Sequence, residues 1–143
     1  MKIRIKLEDN ARKPIYGTKR AAGCDLYANI EDTINLMPLE RVLISTGVYL
    51  EIPPGYEGQV RPRSGLALKK GLTVLNSPGT LDSDYRGEVG VVLVNLSNHI
   101  QTIAPDTRIA QIVFAKYEKV DFILSDHLDD TERIGGFGST GEK

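Results

Sequence analysis

The chain reads as an all-β protein, an antiparallel sandwich or barrel with one short helix and a flexible C-terminal tail. Three observations predict this. Apolar residues recur in many short runs, some alternating with polar ones at a period of two, and turn formers separate the runs. No stretch sustains a helical period long enough for more than one short helix. After Leu124 the apolar pattern stops, acids follow, and then Gly135, Gly136, Gly138 and Gly141 accumulate. With 143 residues, the simplest organisation is a single domain that buries about 70% of its unfolded surface. We assign it to residues 1–124, with a mobile tail over 125–143.

Taken in order, Ile3, Ile5 and Leu7 alternate with Lys and Arg as one face of a strand. Further short strands are expected over 26–30, 34–37, 42–46, 48–52 and 59–63, punctuated by Pro38, Gly47 and Pro53-Pro54-Gly55. The helix candidate covers 64–70, with Ser64 as N-cap and Gly71 just past its end. Strands over 72–75, 89–96, 101–103, 111–115 and 120–124 complete the domain.

Composition narrows the function. A net charge of −1 gives no global pull toward nucleic acid or an anionic membrane, and neither partner is expected. Cys24 is the single cysteine, which fits a reducing compartment. There is no apolar run of about 18 residues and no signal-peptide pattern. His99 and His127 are far apart and read as surface residues, and no Cys/His spacing suggests a metal cage.

The densest chemistry lies in 75–94, LNSPGTLDSDYRGEVGVVLV. Its first part is rich in turn formers, and its last six residues read as a buried strand. A hairpin or tight crossover would present Asp82, Asp84 and Tyr85 from an apolar base, while Gly79, Gly87 and Gly90 admit a ligand close to the backbone. On these residues alone, a solvated turn explains the acids equally well. In Arg61-Pro62-Arg63-Ser64-Gly65, an arginine precedes a helix start, where free N–H groups and a planar guanidinium suit phosphate oxygens. Capping alone would explain Ser64 but not Arg63.

Gly79-Thr80-Leu81-Asp82-Ser83-Asp84-Tyr85-Arg86-Gly87 resembles the third motif of the trimeric dUTP pyrophosphatase (dUTPase) family, Gly-x-x-Asp-x-Asp-Tyr-x-Gly. Four more stretches resemble the family's motifs in its order. They are Ala22-Gly23-Cys24-Asp25-Leu26, Pro62-Arg63-Ser64-Gly65-Leu66, Arg108-Ile109-Ala110-Gln111 and Arg133-Ile134-Gly135-Gly136-Phe137-Gly138-Ser139-Thr140-Gly141. The last differs in spacing: Arg133 stands one residue nearer the Gly-Gly-Phe step than the family's arginine, and Glu132 fills the usual slot. Together the five cover almost the whole chain.

The resemblance implies a distorted jelly-roll-like subunit, a homotrimer with active sites shared among three chains, and magnesium as cofactor. It implies hydrolysis of dUTP to dUMP and pyrophosphate, which keeps uracil out of DNA and supplies dUMP for thymidylate synthesis. Asp82 is expected as general base and Gln111 beside the attacking water and α-phosphate. Arg63, Ser64, Gly65, Arg133, Gly138, Ser139 and Thr140 would hold the triphosphate, and Phe137 would stack on the base. Tyr85 would lie under the deoxyribose, and the backbone at Gly79, Leu81 and Gly90, with Asn76 nearby, would read the uracil edge. Asp25 would reach the magnesium through a water. The expected location is the cytoplasm, with nuclear or organellar use open in a eukaryote. Two competitors were weighed. A dCTP deaminase-related enzyme needs a glutamate in the strand after the third motif, where this chain has Val92, and an Asp-Pro-Gly-Phe sequence that it lacks. A non-enzymatic, nucleotide-responsive interaction protein of the same fold gains no support, because the expected polar residues are all present.

Overall fold

The computed structural model describes residues 1–132. The elements run β1 (Arg4–Leu7), β2 (Ile15–Tyr16), β3 (Gly23–Tyr27), β4 (Ile34–Leu36), β5 (Arg41–Ile44), β6 (Val48–Glu51), β7 (Tyr56–Arg61), α1 (Ser64–Lys70), β8 (Leu72–Val74), β9 (Gly79–Leu81), β10 (Val91–Asn95), β11 (Gln101–Ile103) and β12 (Arg108–Lys116). The strands pair antiparallel throughout. A five-stranded sheet has the order β2-β3-β12-β7-β9, a three-stranded one β5-β10-β8, and two small ladders join β1 to β6 and β11 to β4. This is the expected all-β, jelly-roll-like architecture with one short helix.

Alternation along the strands builds the core. In β3, Cys24 and Leu26 point inward and Asp25 outward; in β12, Ala110 and Ile112 point inward and Gln111 outward. Leu26, Val60 and Ile112 of the larger sheet meet Ile44, Val74, Val91 and Leu93 of the three-stranded one in a single cluster. The larger sheet thereby buries one face and offers polar residues on the other.

Three expectations need correction. The helix spans 64–70, but Arg63, with extended backbone, occupies the N-cap and Ser64 is the first helical residue; no side chain caps the helix. Gly71 ends it at φ 64, a left-handed turn in which glycine avoids the Cβ penalty. The strand expected over 120–124 does not form, because regular structure ends at Lys116. Phe122, Ile123 and Leu124 are at least 90% exposed, and among the described residues no strand pairs with them. Finally, β2 and β9 form where no strand is expected; β9 and β10 belong to different sheets, so of the two readings, hairpin or crossover, the polar stretch between them is the crossover.

Candidate active site

One polar cluster arises from strand register. Asp25 of β3 stands opposite Gln111 of β12, and Gln111 opposite Arg61 of β7, so three outward positions share one height on the sheet. Arg63, just beyond β7, places Nε 2.9 Å from one Asp25 oxygen, and Arg108 Nη1 lies 3.3 Å from the other. A second Arg63 nitrogen donates to the Arg108 carbonyl at 3.3 Å. Gln111 donates to the Pro62 carbonyl at 3.0 Å, tying β12 to the start of the helix. Two guanidinium groups thus gather around one carboxylate, a local excess of positive charge suited to an anion.

Two local devices make this cluster possible. In a regular strand, residues three apart face opposite ways, so Arg108 and Gln111 would diverge. The register of β12 against β3 shifts between Arg108 and Ala110, and Ile109 and Ala110 are both buried. That bulge returns Arg108 to the outer face, within reach of Asp25. The second device is Gly23, where a Cβ would lie 2.3 Å from Gln111 Oε1. Any side chain there would displace the carboxamide. Cys24 beside it is buried, and burial pushes its thiol pKa up, which keeps it an inert core residue.

The second region is the crossover over 82–90. Asp82, Tyr85 and Gly90 line an open cavity of about 590 Å³ with Leu81, Leu43 and Glu88. The Tyr85 N–H donates to the Asp82 carbonyl at 3.1 Å, closing a turn. The Tyr85 ring then folds back across Gly87, where a Cβ would lie 2.4 Å from the hydroxyl oxygen, and the hydroxyl donates to the Glu88 carbonyl at 2.9 Å. Glu88 in turn uses Oε1 to accept from the Ser45 hydroxyl and from the N–H groups of Thr46 (2.9 Å) and Gly47 (2.7 Å).

The structure brings some expected site residues together and leaves others apart. Asp25, Arg63 and Gln111 converge, with Ser64 and Gly65 following on the exposed start of α1. Leu81, Asp82, Tyr85 and Gly90 share the cavity. Asn76 and Gly79 adjoin one another off its wall, a Gly79 Cβ lying 3.2 Å from Asn76 Nδ2. The Leu75 N–H donates to the Val92 carbonyl at 2.9 Å, which brings Asn76 toward the start of β10. Arg133, Phe137, Gly138, Ser139 and Thr140 lie outside the described residues. Sequence reasoning missed Glu88, Ser45, Leu43 and the Arg108–Asp25 contact. Only Glu88 left a signal, an acid placed directly before a run destined for the core.

The two regions lie at opposite ends of β7. Leu81 pairs with Gly58, so Asp82 falls beside Glu57 near the start of β7, whereas Gln111, two strands from β9, pairs with Arg61 at the end of β7. At about 3.3 Å per residue along a strand and 4.8 Å between strands, Asp82 and Gln111 are roughly 15 Å apart in one chain.

An antiparallel sandwich with a basic cluster on its outer face and an acid-and-tyrosine cleft at a crossover defines a nucleotide-handling β enzyme, and relatives make it specific. A sequence model of the dUTPase family matches residues 9–141. The deoxyuridine 5'-triphosphate nucleotidohydrolase of Fusobacterium nucleatum is 52% identical, covering 99% of both chains, and that of a Hydrogenobaculum species is 52% identical over the full length of both. Among solved structures, a variant of the Staphylococcus bacteriophage 80alpha dUTPase with dUpNHpp superposes with a TM-score of 0.85 at 26% identity, covering 98% of each chain. The chain belongs to the dUTPase family. It is an enzyme, a hydrolase acting on dUTP.

Proposed function

We propose that the chain hydrolyses dUTP to dUMP and pyrophosphate by water attack on the α-phosphorus, with magnesium, as a homotrimer whose active sites draw on three chains. The observation that carries the shared site is the separation of about 15 Å, by strand spacing, between Asp82 and Gln111 within one chain. Both roles concern one water and one phosphorus, and general-base transfer requires contact at about 3 Å. A second copy that lays its Asp82 cleft against the Arg63–Gln111 cluster removes the contradiction.

In that arrangement Asp82, exposed at the edge of its cavity, accepts the proton of the attacking water, a contribution worth about 10²- to 10⁴-fold. Gln111, fixed by Pro62, orients the water and the α-phosphate. Arg63 offers its remaining donors to the triphosphate, beside the N–H groups of Ser64 and Gly65. A Cβ at Gly65 would meet nothing within 4 Å, so packing inside the chain does not require glycine there. Space for a phosphate oxygen is a reason that does. Tyr85, held flat over Gly87, would close the sugar site against a 2′-hydroxyl. Backbone at Leu81 and Gly90, with Gly79 at the head of β9 and Asn76 in the turn before it, would read the base, and unpaired donors would reject cytosine.

The donor set decides how magnesium is held. Among the described residues no group of three or more His, Cys, Asp or Glu side chains could cage a metal, and both Asp25 oxygens already face guanidinium groups. The residues fit an ion carried by the triphosphate, with Asp25 reaching it through a water. Bound there, it supplies charge neutralisation and alignment of the phosphates. The tail residues Arg133, Phe137, Gly138, Ser139 and Thr140 would close over triphosphate and base and exclude water. The free, buried Cys24 suits a cytoplasmic enzyme whose product feeds thymidylate synthesis and whose action keeps uracil out of DNA. Pyrophosphate release measured across the deoxynucleoside triphosphates tests the whole reading. Rapid release from dUTP alone is expected, and equal rates with dCTP or dTTP would contradict it.

A further inference from the structure

Glu88 has no part in the chemistry above, yet it is the most connected residue of the crossover. Its carboxylate accepts the Ser45 hydroxyl and the N–H groups of Thr46 and Gly47, all in the connection between β5 and β6. Its backbone carbonyl accepts both the Tyr85 hydroxyl at 2.9 Å and the Gly90 N–H at 3.0 Å. Neighbouring bonds lock the same joint: the Thr46 hydroxyl donates to the Val89 carbonyl at 2.5 Å, and the Val89 N–H donates to the Val48 carbonyl at 2.8 Å. Gly47 takes φ 63, which turns its N–H toward the carboxylate and leaves no room for a side chain, since a Cβ would lie 2.6 Å from both Ala11 and Asn29.

The carbonyl that orients the tyrosine therefore belongs to a residue whose side chain is anchored in a separate segment, the connection between β5 and β6. Tyr85 is 45% exposed, with its ring lying across Gly87, so burial alone does not hold it. Its hydroxyl bond to Glu88 fixes the ring, and that bond is only as rigid as the Glu88 backbone. We propose that Glu88 is a positioning residue for sugar selectivity: by fastening the crossover to the β5–β6 connection, it sets the Tyr85 ring and the Gly90 backbone at the spacing that admits a 2′-deoxyribose and excludes a ribose. This rests on the reading of Tyr85 as the sugar filter. The effect falls on discrimination between sugars, because Asp82 and the Arg63–Gln111 cluster do not touch Glu88.

The test is the ratio of kcat/KM for UTP to that for dUTP, measured on the full chain. A ratio is insensitive to the fraction of correctly folded enzyme, so a merely structural role does not move it. Tyr85→Ala calibrates the filter. Glu88→Ala removes all three acceptor contacts, and Glu88→Asp keeps the charge but withdraws the carboxylate by one bond, about 1.5 Å. Both should raise the ratio, by about tenfold for the alanine variant if one oriented contact is lost. Glu88→Gln keeps an acceptor oxygen at the same reach and should stay within about threefold of the wild type. If Glu88→Ala does not fold, Glu88→Asp decides. A raised ratio in Tyr85→Ala with an unmoved ratio in every folded Ala or Asp variant overturns the role of Glu88 and leaves the filter standing. An unmoved ratio in Tyr85→Ala overturns the filter itself, and this inference with it.

Discussion

Asp25, Gln111 and Arg61 stand on three neighbouring strands whose ladder bonds fix them side by side, whereas Asp82, Tyr85 and Glu88 occupy a crossover with only one isolated bridge, between Tyr49 and Glu88. The first region is rigid because the sheet is rigid. The second owes its shape to a turn, a glycine under a ring and one carboxylate that reaches the connection between β5 and β6. Phosphate recognition needs charges at fixed spacing, which strands supply. Proton transfer and sugar selection need backbone close to the ligand, which turn chemistry supplies. The comparison also teaches that strand spacing keeps the two regions apart within one chain, which is what the proposed shared site rests on.

Substitutions can break the comparison on either side. The largest effect is expected in the crossover. Asp82→Asn should keep dUTP KM within a few-fold and lower kcat by about 100-fold or more, since the amide keeps the shape but cannot take the proton. Steady-state kinetics check this, and retention of over a tenth of wild-type turnover removes Asp82 as the base. Chelation of magnesium comes next. Neither region offers a carboxylate cage, so EDTA should suppress turnover strongly while Tm of the nucleotide-free protein moves by less than about 2 °C. A large fall in Tm on chelation would mean that the protein itself holds a structural ion. The smallest effect sharpens the other half. Gly23→Ala should push the Gln111 carboxamide off the Pro62 carbonyl, lowering kcat about tenfold while costing about 1 kcal/mol of stability in denaturant unfolding, the worth of one hydrogen bond. Wild-type kcat in that variant would show that the carboxamide's place on the sheet is irrelevant to the reaction.

The sequence disclosed the two regions unequally. Period-two alternation makes β1 legible, and apolar runs between turn residues place most other strands within about three positions, β3 lying three residues before its expected place; the short β2 and β9 leave no apolar run to read. The bulge at Ile109 escaped, because an Arg-x-x-Gln spacing read as a plain strand points the two side chains apart. Ser64 was read as the cap because serine prefers that position, yet the chain puts Arg63 there and spends its guanidinium on Asp25. At 120–124, β-propensity suggests a strand, but a strand exists only where a ladder partner does, and the described residues offer none. In the crossover, the motif residues were visible and their support was not. Glu88 bonds to residues more than forty positions away, a contact that no local pattern encodes.

The central claim is that a working site needs the crossover of one chain and the basic cluster of another. Asp82→Asn and Arg63→Ala each disable one half, and each variant alone should be nearly inactive. Co-expressed with different tags and purified through both, the mixed oligomers should regain activity. In every mixed trimer, whether two-to-one or one-to-two, about one site in three draws an intact Asp82 and an intact Arg63 from different chains, so recovery toward a third of wild-type turnover is expected. Mixed oligomers no more active than the two single variants would mean that each chain works alone, and the shared site would be wrong.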